Sequence, residues 1–394
     1  MIRRLTFLLG ALCVIAAISL FRLHVIDSQY AAVALHDAPA APAADASTST
    51  APAQIALFPR LAAPAAPAAP SSGSQLPAAE PAAAAKPAEE AAAPAVPPPP
   101  SNTDFSDINP RTRAALVNIV CTAPGSEGPV SGSGVIIDPR GVILTNAHVA
   151  QYVLLAESDR VTLSCEARIG SPAHDAYHIA VLYLSRQWIA SHAAQIREES
   201  PLGTGENDYA LLSITGSATM TPLPETFPYV SPDTSETAQQ EGQPVLIASY
   251  PAGFLKGMTT VYDLDLVSTV TAIKRLYTFS DAHTADLISL GGVIVAQGGS
   301  SGGAVVDGLG RLIAIIATSS EEGQTADRDL RAVTLYHINQ SILSETGSDL
   351  EGYLAGDLSA TRSRFDAGIA PGLLQQLFNG LMGTAAASTT AAQD

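Results

Sequence analysis

The chain has 394 residues, with 20 Lys+Arg against 37 Asp+Glu for a formal charge of −17. Only 14% of residues are charged while 47% are hydrophobic and 28 are proline, and an ordinary domain carries about 25% charged residues and about 5% proline. The acidic balance argues against a nucleic-acid binder, which needs clustered Lys and Arg to neutralise phosphates. Taken in order, Leu5 to Phe21 is an uncharged, mostly apolar run with Arg3 and Arg4 before it and Arg22 after it. At about 1.5 Å per residue this is the short end of what crosses a bilayer. The leading arginines would stay cytoplasmic and send the rest of the chain across. The competing reading is a cleaved signal peptide. Its small-residue site, Ala32-Val33-Ala34, lies well past the apolar run, so an uncleaved anchor over residues 1–24 is favoured. Cys13 lacks the preceding small residue of a lipidation site and reads as an apolar residue in lipid.

Residues 25–104 follow as a linker. Between positions 38 and 100 there are 26 Ala and 15 Pro, with no large side chains at a regular period, so this stretch builds no core. Proline-rich chain is extended and semi-stiff, and it reads as a tether holding a soluble domain off a membrane. Plain disorder with no spacing role is the alternative.

From Asn109 the texture changes to short apolar runs broken by Gly, Pro, Asp and Asn. AALVNIVCT, SGVIID, GVILTN, RVTLSC, AVLYLS, YALLSI, PVLIAS, VIVAQ and RLIAIIATS are strand-length and rich in β-branched residues. Helical periods come late, around Tyr336 to Leu343 and Gly372 to Met382. Many short strands with regular turns predict an all-β sandwich or barrel. Two segments resemble each other, Gly134 to Gly141 around Asp138-Pro139-Arg140-Gly141 and Gly303 to Gly310 around Asp307-Gly308-Leu309-Gly310. They hint at two related β units.

Three residues stand out for chemistry. His148 ends the strand-like run Gly141 to Val149, and Asp208 opens Asp208-Tyr-Ala-Leu-Leu-Ser-Ile. Each alone reads most simply as structural. Ser301 lies in Gly298-Gly299-Ser300-Ser301-Gly302-Gly303, after the expected strand Gly292 to Ala296. Glycines there let the amides of Gly299 and Ser301 point at one spot, where a tetrahedral oxyanion can be held.

In the order His148, Asp208, Ser301, the sequence resembles the trypsin-like serine proteases. Thr145-Asn146-Ala147-His148-Val149 is similar to the family's histidine motif, Asp208-Tyr209-Ala210-Leu211-Leu212 to its aspartate motif, and Gly299-Ser300-Ser301-Gly302-Gly303 to its serine motif. The resemblance covers about residues 110–345. It implies two six-stranded β-barrels of the chymotrypsin type with the active site between them, over a domain at 105–345. The roles it implies are Ser301 as nucleophile, His148 as general base and then acid, and Asp208 fixing the imidazole tautomer. The amides of Gly299 and Ser301 would form the oxyanion hole. Neither a metal nor a cofactor is expected. Ser300 stands where digestive relatives carry an Asp that pairs with a freshly cut amino terminus, so activation by such a cut is not expected. The pattern is closer to the bacterial Deg/HtrA-type branch, yet the tail at 346–394 is too short for a PDZ domain. Val295, six residues before the serine, and Thr318 on the facing strand are uncharged, which favours a small or medium apolar P1 side chain.

Cys121 and Cys165 fall on strands that are neighbours in the resembling fold. An exported domain allows them a disulfide, with two reduced core thiols as the alternative. The sequence thus reads as a single-pass membrane serine endopeptidase with its domain on the extracytoplasmic side, acting on polypeptides of the cell envelope. The rivals are a catalytically silent protease-like peptide-binding or scaffold module, and an α/β-hydrolase. The latter needs a helix after the serine and the partner order Ser, Asp, His, whereas strands follow here and the only later histidine is His337, 36 residues on. In the tail, Leu373, Leu374, Leu377 and Leu381 have helix-like spacing, which fits docking on the barrels, a trimer contact or neither.

Overall fold

The computed structural model describes residues 103–126, 128–198, 204–252, 263–279, 284–293, 295–319 and 329–390. The expected anchor at 1–24 and nearly all of the linker at 25–104 lie outside these residues. Among the described residues, no helix is long and apolar enough to cross a membrane.

A short helix, α1 (Ile108–Ala114), leads into the first sheet. Its strands are β1 (Leu116–Thr122), β2 (Val130–Asp138), β3 (Val142–Thr145), β4 (Ser164–Ile169), β5 (His174–Leu184) and β6 (Ala210–Ser217). Helix α2 (Ala147–Ala156) leaves β3, and α3 (Arg186–His192) with a 3-10 turn at Ala193–Gln195 follows β5. These strands close into a barrel in the order β1-β2-β3-β6-β5-β4. Its strands are buried on both faces, through residues such as Val117, Ile119, Ile143 and Val181 on one and Val135, Leu144 and Leu211 on the other, all fully buried. Burying each such side chain contributes roughly 1.5–3 kcal/mol, the driving force for closure.

The second sheet holds β7 (Pro244–Ser249), β8 (Val267–Ala272), β9 (Arg275–Tyr277), β10 (Leu287–Gly291), β11 (Ala304–Val306), β12 (Leu312–Ser319) and β13 (Leu330–Thr334). It is a curled seven-stranded sheet, ordered β8-β7-β11-β12-β13-β10-β9, where the sequence led us to expect a closed six-stranded barrel. The difference has a local cause. Strands β8 and β9 are successive in the chain and interrupted at Ile273-Lys274. The amide of Ile273 donates to Gln243 O on the β7 side at 3.0 Å, whereas that of Lys274 donates to Ser289 O in β10 at 2.7 Å. One bent segment therefore serves both ends of the sheet. The two sheets together fit the chymotrypsin fold.

The two similar segments occupy equivalent places. Hairpins β2–β3 and β11–β12 are both antiparallel, and each shows a register shift just before its turn. Gly141 and Gly310 close the turns at φ 85° and 79°, a region where only glycine is unstrained. Each donates its amide to the turn aspartate, Asp138 or Asp307, at 3.0 Å.

Three expectations need correction. The run ending at His148 stops being a strand at Thr145: Asn146 is the extended N-cap of α2, and His148 lies in that helix's first turn. Of residues 293–297, read as a strand, the described ones are not in one. Gly291 at φ 70° breaks the register of β10, and the chain then turns tightly, Ala296 donating to Val293 O at 2.8 Å. The chain past β13 is also more extensively helical than its late periods suggested. It forms α4 (Leu335–Thr346), α5 (Leu350–Ala355), α6 (Leu358–Gly368) and α7 (Ala370–Thr390).

Of the three fates open to the tail, docking is the one observed. Leu373, Leu377 and Leu381 are buried against the first barrel's side of the molecule. Gly380 meets the carbonyl of Ala193 so closely that a Cβ would not fit. The Arg160 guanidinium stacks 3.7 Å over the Phe378 ring. Arg362 of α6 reaches Glu157 at the end of α2 at 3.3 Å.

Cys121 and Cys165 face each other in the β1–β4 ladder and form a disulfide across a separation of 44 residues. Closing a loop of this size restricts the unfolded chain. The paired Cys121→Ser and Cys165→Ser variant is expected to lose about 2–4 kcal/mol of stability in urea unfolding. Free thiols at both positions in non-reducing mass spectrometry of the purified protein would remove the premise.

Candidate active site

Strand pairing brings the first two candidate residues together. Thr145 at the end of β3 lies opposite Ala210 at the start of β6, so the residues just beyond each strand become neighbours. On one side the chain turns into α2 and presents His148. On the other, Gly205 at φ 89° and Asn207 at φ 61° make the turn that delivers Asp208. Asn146 secures the junction, its side-chain amide donating to Asp208 O at 2.7 Å. Asp208 is almost wholly buried, and both its carboxylate oxygens are used on His148. Oδ1 accepts the backbone amide at 3.0 Å and Oδ2 lies 2.8 Å from Nδ1. The imidazole keeps about a quarter of its surface exposed. Burial pushes its pKa down, but the charge and hydrogen bond of Asp208 outweigh this, and the net shift is upward from the ordinary histidine value.

Ser301 sits between Gly299 at φ 88° and Gly302 at φ 85°. At Gly302 a Cβ would fall on Ser133 O and within 2.6 Å of Thr145 Oγ1, so the serine loop lies directly against the strand that precedes His148. Around the serine the amides of Ser300, Gly302 and Gly303 donate to Gln297 O, Ile316 O and Ser300 O at 3.2, 2.8 and 2.9 Å. The amides of Gly299 and Ser301 donate to no acceptor among the described residues. Nor do Ser301 Oγ and His148 share a hydrogen bond among the described residues. Their carriers are instead each held separately, the imidazole by Asp208 and the serine loop by Ser133.

Ser300 is different from its neighbour. It is 1% exposed and its hydroxyl pairs with Ser249 Oγ at 3.2 Å, a neutral buried contact with no place for a charged amino terminus. Val295 is fully enclosed in the apolar cluster that includes Ile313, Ala314 and Ile316 of β12. Thr318 is on that same strand, paired with Arg331 of β13. His337, the partner an α/β-hydrolase reading would require, is in α4 with its Nδ1 3.3 Å from Asp286. It lines a pocket with Asp286, Glu206 and Asn207, and Phe279 packs edge-on to the ring at 4.9 Å.

The sequence reading passed over Ser133, Thr145 and Asn146 as parts of the site. Thr145 and Asn146 lie inside the histidine motif, and a serine between Gly132 and Gly134 inside a strand marks a place where another backbone approaches closely.

Residues 132–315 match the family described as the trypsin-like peptidase domain. Among solved structures, the serine endoprotease from Yersinia pestis aligns at a TM-score of 0.40 and 20% sequence identity, covering 63% of this chain and 70% of that one. No curated protein matches the chain in sequence. The matched span contains the loops bearing His148, Asp208 and Ser301, and this match to a trypsin-like peptidase domain supports a trypsin-like serine protease, a serine-type endopeptidase.

Proposed function

We propose that this endopeptidase cuts proteins of the cell envelope through an acyl-enzyme formed on Ser301, with residues 1–24 as its membrane anchor and residues 25–104 as the tether to a catalytic domain at 105–345. Ser301 Oγ attacks the scissile carbonyl carbon as its proton passes to His148 Nε2. The oxyanion is received by the amides of Gly299 and Ser301, each such donor being worth about 3 kcal/mol in the transition state. Collapse breaks the C–N bond, and His148 returns the proton to the leaving amine. A water then repeats the cycle to release the acyl group. Asp208 keeps the imidazole in the tautomer with hydrogen on Nδ1.

The observation that carries this reading is the pairing of His148 with a buried Asp208 beside a serine loop that leaves two amides uncommitted. Val295 is enclosed in the second sheet's core and meets no substrate directly, and the uncharged Thr318 favours a small or medium apolar P1 residue. No cut amino terminus takes part in activation, because Ser300 pairs with Ser249. The test is a fluorophosphonate probe applied to membrane and soluble fractions of cells making the full chain. The reading expects labelled protein in the membrane fraction and casein cleavage by the solubilised enzyme. Absence of labelling would favour the silent scaffold, and labelling confined to the soluble fraction would overturn the anchor alone.

A further inference from the structure

The serine loop is held by its carbonyls, and those carbonyls have two different owners. Gly298 O accepts from Ala252 N at 2.7 Å and Ser300 O accepts from Gly303 N at 2.9 Å. These bonds orient the peptides that carry the Gly299 and Ser301 amides, and both come from the second sheet's own chain. The alternate peptides are held from across the cleft. Gly299 O accepts from Ser133 Oγ at 2.8 Å, and Ser301 O accepts from Ser133 N at 2.7 Å. One residue of β2 therefore grips the peptide between the two uncommitted amides and the peptide just after the serine.

Ser133 is itself fixed on every side. It is fully buried. Its hydroxyl also accepts the amide of Tyr250 at 2.9 Å, and its carbonyl accepts Thr145 Oγ1 at 2.7 Å. Before it in the strand, Gly132 O receives the Asn118 side-chain amide at 2.8 Å, and Asn118 in turn accepts from the buried Arg168 guanidinium at 2.9 Å. Gly132 is bare because a Cβ there would lie 2.6 Å from Val149, the residue after His148. The same two strand positions thus touch the helix bearing the base and the loop bearing the nucleophile.

We infer that Ser133 is a positioning residue for this protease, its hydroxyl setting the oxyanion-binding amides from the opposite barrel. The inference rests on the catalytic assignment proposed for Ser301. With the hydroxyl present, the Gly299–Ser300 peptide cannot rotate without leaving the Ser133 hydroxyl proton and Gly299 O unpaired in the interior. With it removed, that peptide is held only by the Ser300 amide's 3.2 Å bond to Gln297 O, and the two amides lose their common aim. The ground-state complex barely feels this, while the tetrahedral intermediate does.

The experiment uses the solubilised full chain as wild type, Ser133→Ala and Ser133→Cys. Active sites are counted by end-point fluorophosphonate labelling, and turnover of fluorescein-casein is expressed per labelled site. We expect kcat per site to fall about tenfold to hundredfold in both variants, with KM within twofold of wild type. A purely structural role would lower the melting temperature and the labelled fraction but leave kcat per site unchanged, and that result overturns the inference. So does a loss confined to KM. Ser133→Cys keeps the side chain's shape with a weak donor and decides the matter where the alanine variant does not fold. Failure of wild type to label at all would instead sink the assignment of Ser301.

Discussion

Ser301→Ala is expected to abolish fluorophosphonate labelling and to lower kcat about 10⁵- to 10⁶-fold, as loss of the nucleophile does when the rest of a triad is left intact. The control is its neighbour. Ser300 is also a serine in the same glycine-rich loop, but its hydroxyl points into the interior onto Ser249. Ser300→Ala removes one buried neutral hydrogen bond and is expected to cost about 1 kcal/mol of stability while labelling persists. The two substitutions therefore separate chemistry from packing within a single turn. Labelling that survives in Ser301→Ala and vanishes in Ser300→Ala would reverse the assignment. The same pair of variants gives access to substrates, because new amino termini present in wild-type cells and missing from Ser301→Ala cells are products of this enzyme.

What the sequence disclosed and what it concealed follow the range of the interactions involved. The hairpins around Asp138 and Asp307 were legible because an aspartate, a turn and a positive-φ glycine lie within four residues and need no distant partner. The site's order of His148, Asp208 and Ser301 was legible through motifs of five residues each. Helix α2 was hidden because an apolar run continuous with β3 carries no period of its own, and the change of direction rests on Asn146 reaching Asp208, 62 positions away. The partner of Ser133 was hidden for the same reason: the carbonyl it holds is 166 positions distant. The curl of the second sheet depends on which neighbours Ile273 and Lys274 choose, and nothing local in those residues announces the choice. In the tail, the spacing of Leu373, Leu377 and Leu381 declared an apolar face without saying what would cover it. The cover is the first barrel with its helices, made possible by a glycine at 380 where the two backbones meet.

The pH dependence of the enzyme is set by the same pair that orients the base. His148 must be neutral to take the serine's proton, and Asp208 favours the imidazolium strongly enough to override burial. Activity should therefore fall as pH drops through a value above the ordinary 6.5 of histidine, and kcat/KM against pH reports that value for the free enzyme. Asp208→Asn makes two changes at once. It removes the charge while leaving the burial, so the acid limb moves to lower pH. It also inverts a hydrogen bond. The backbone amide of His148 donates to Oδ1, and this fixed donor holds the asparagine's oxygen at that position. The side-chain NH2 is then turned toward Nδ1, 2.8 Å away, and imposes the tautomer with hydrogen on Nε2, where the serine's proton should arrive. The plateau should fall about 10⁴-fold. A purely electrostatic role for Asp208 would shift the limb and spare the plateau, and a purely orienting role would do the reverse. A variant whose acid limb stays where it is in wild type would show that Asp208 does not govern the charge of His148.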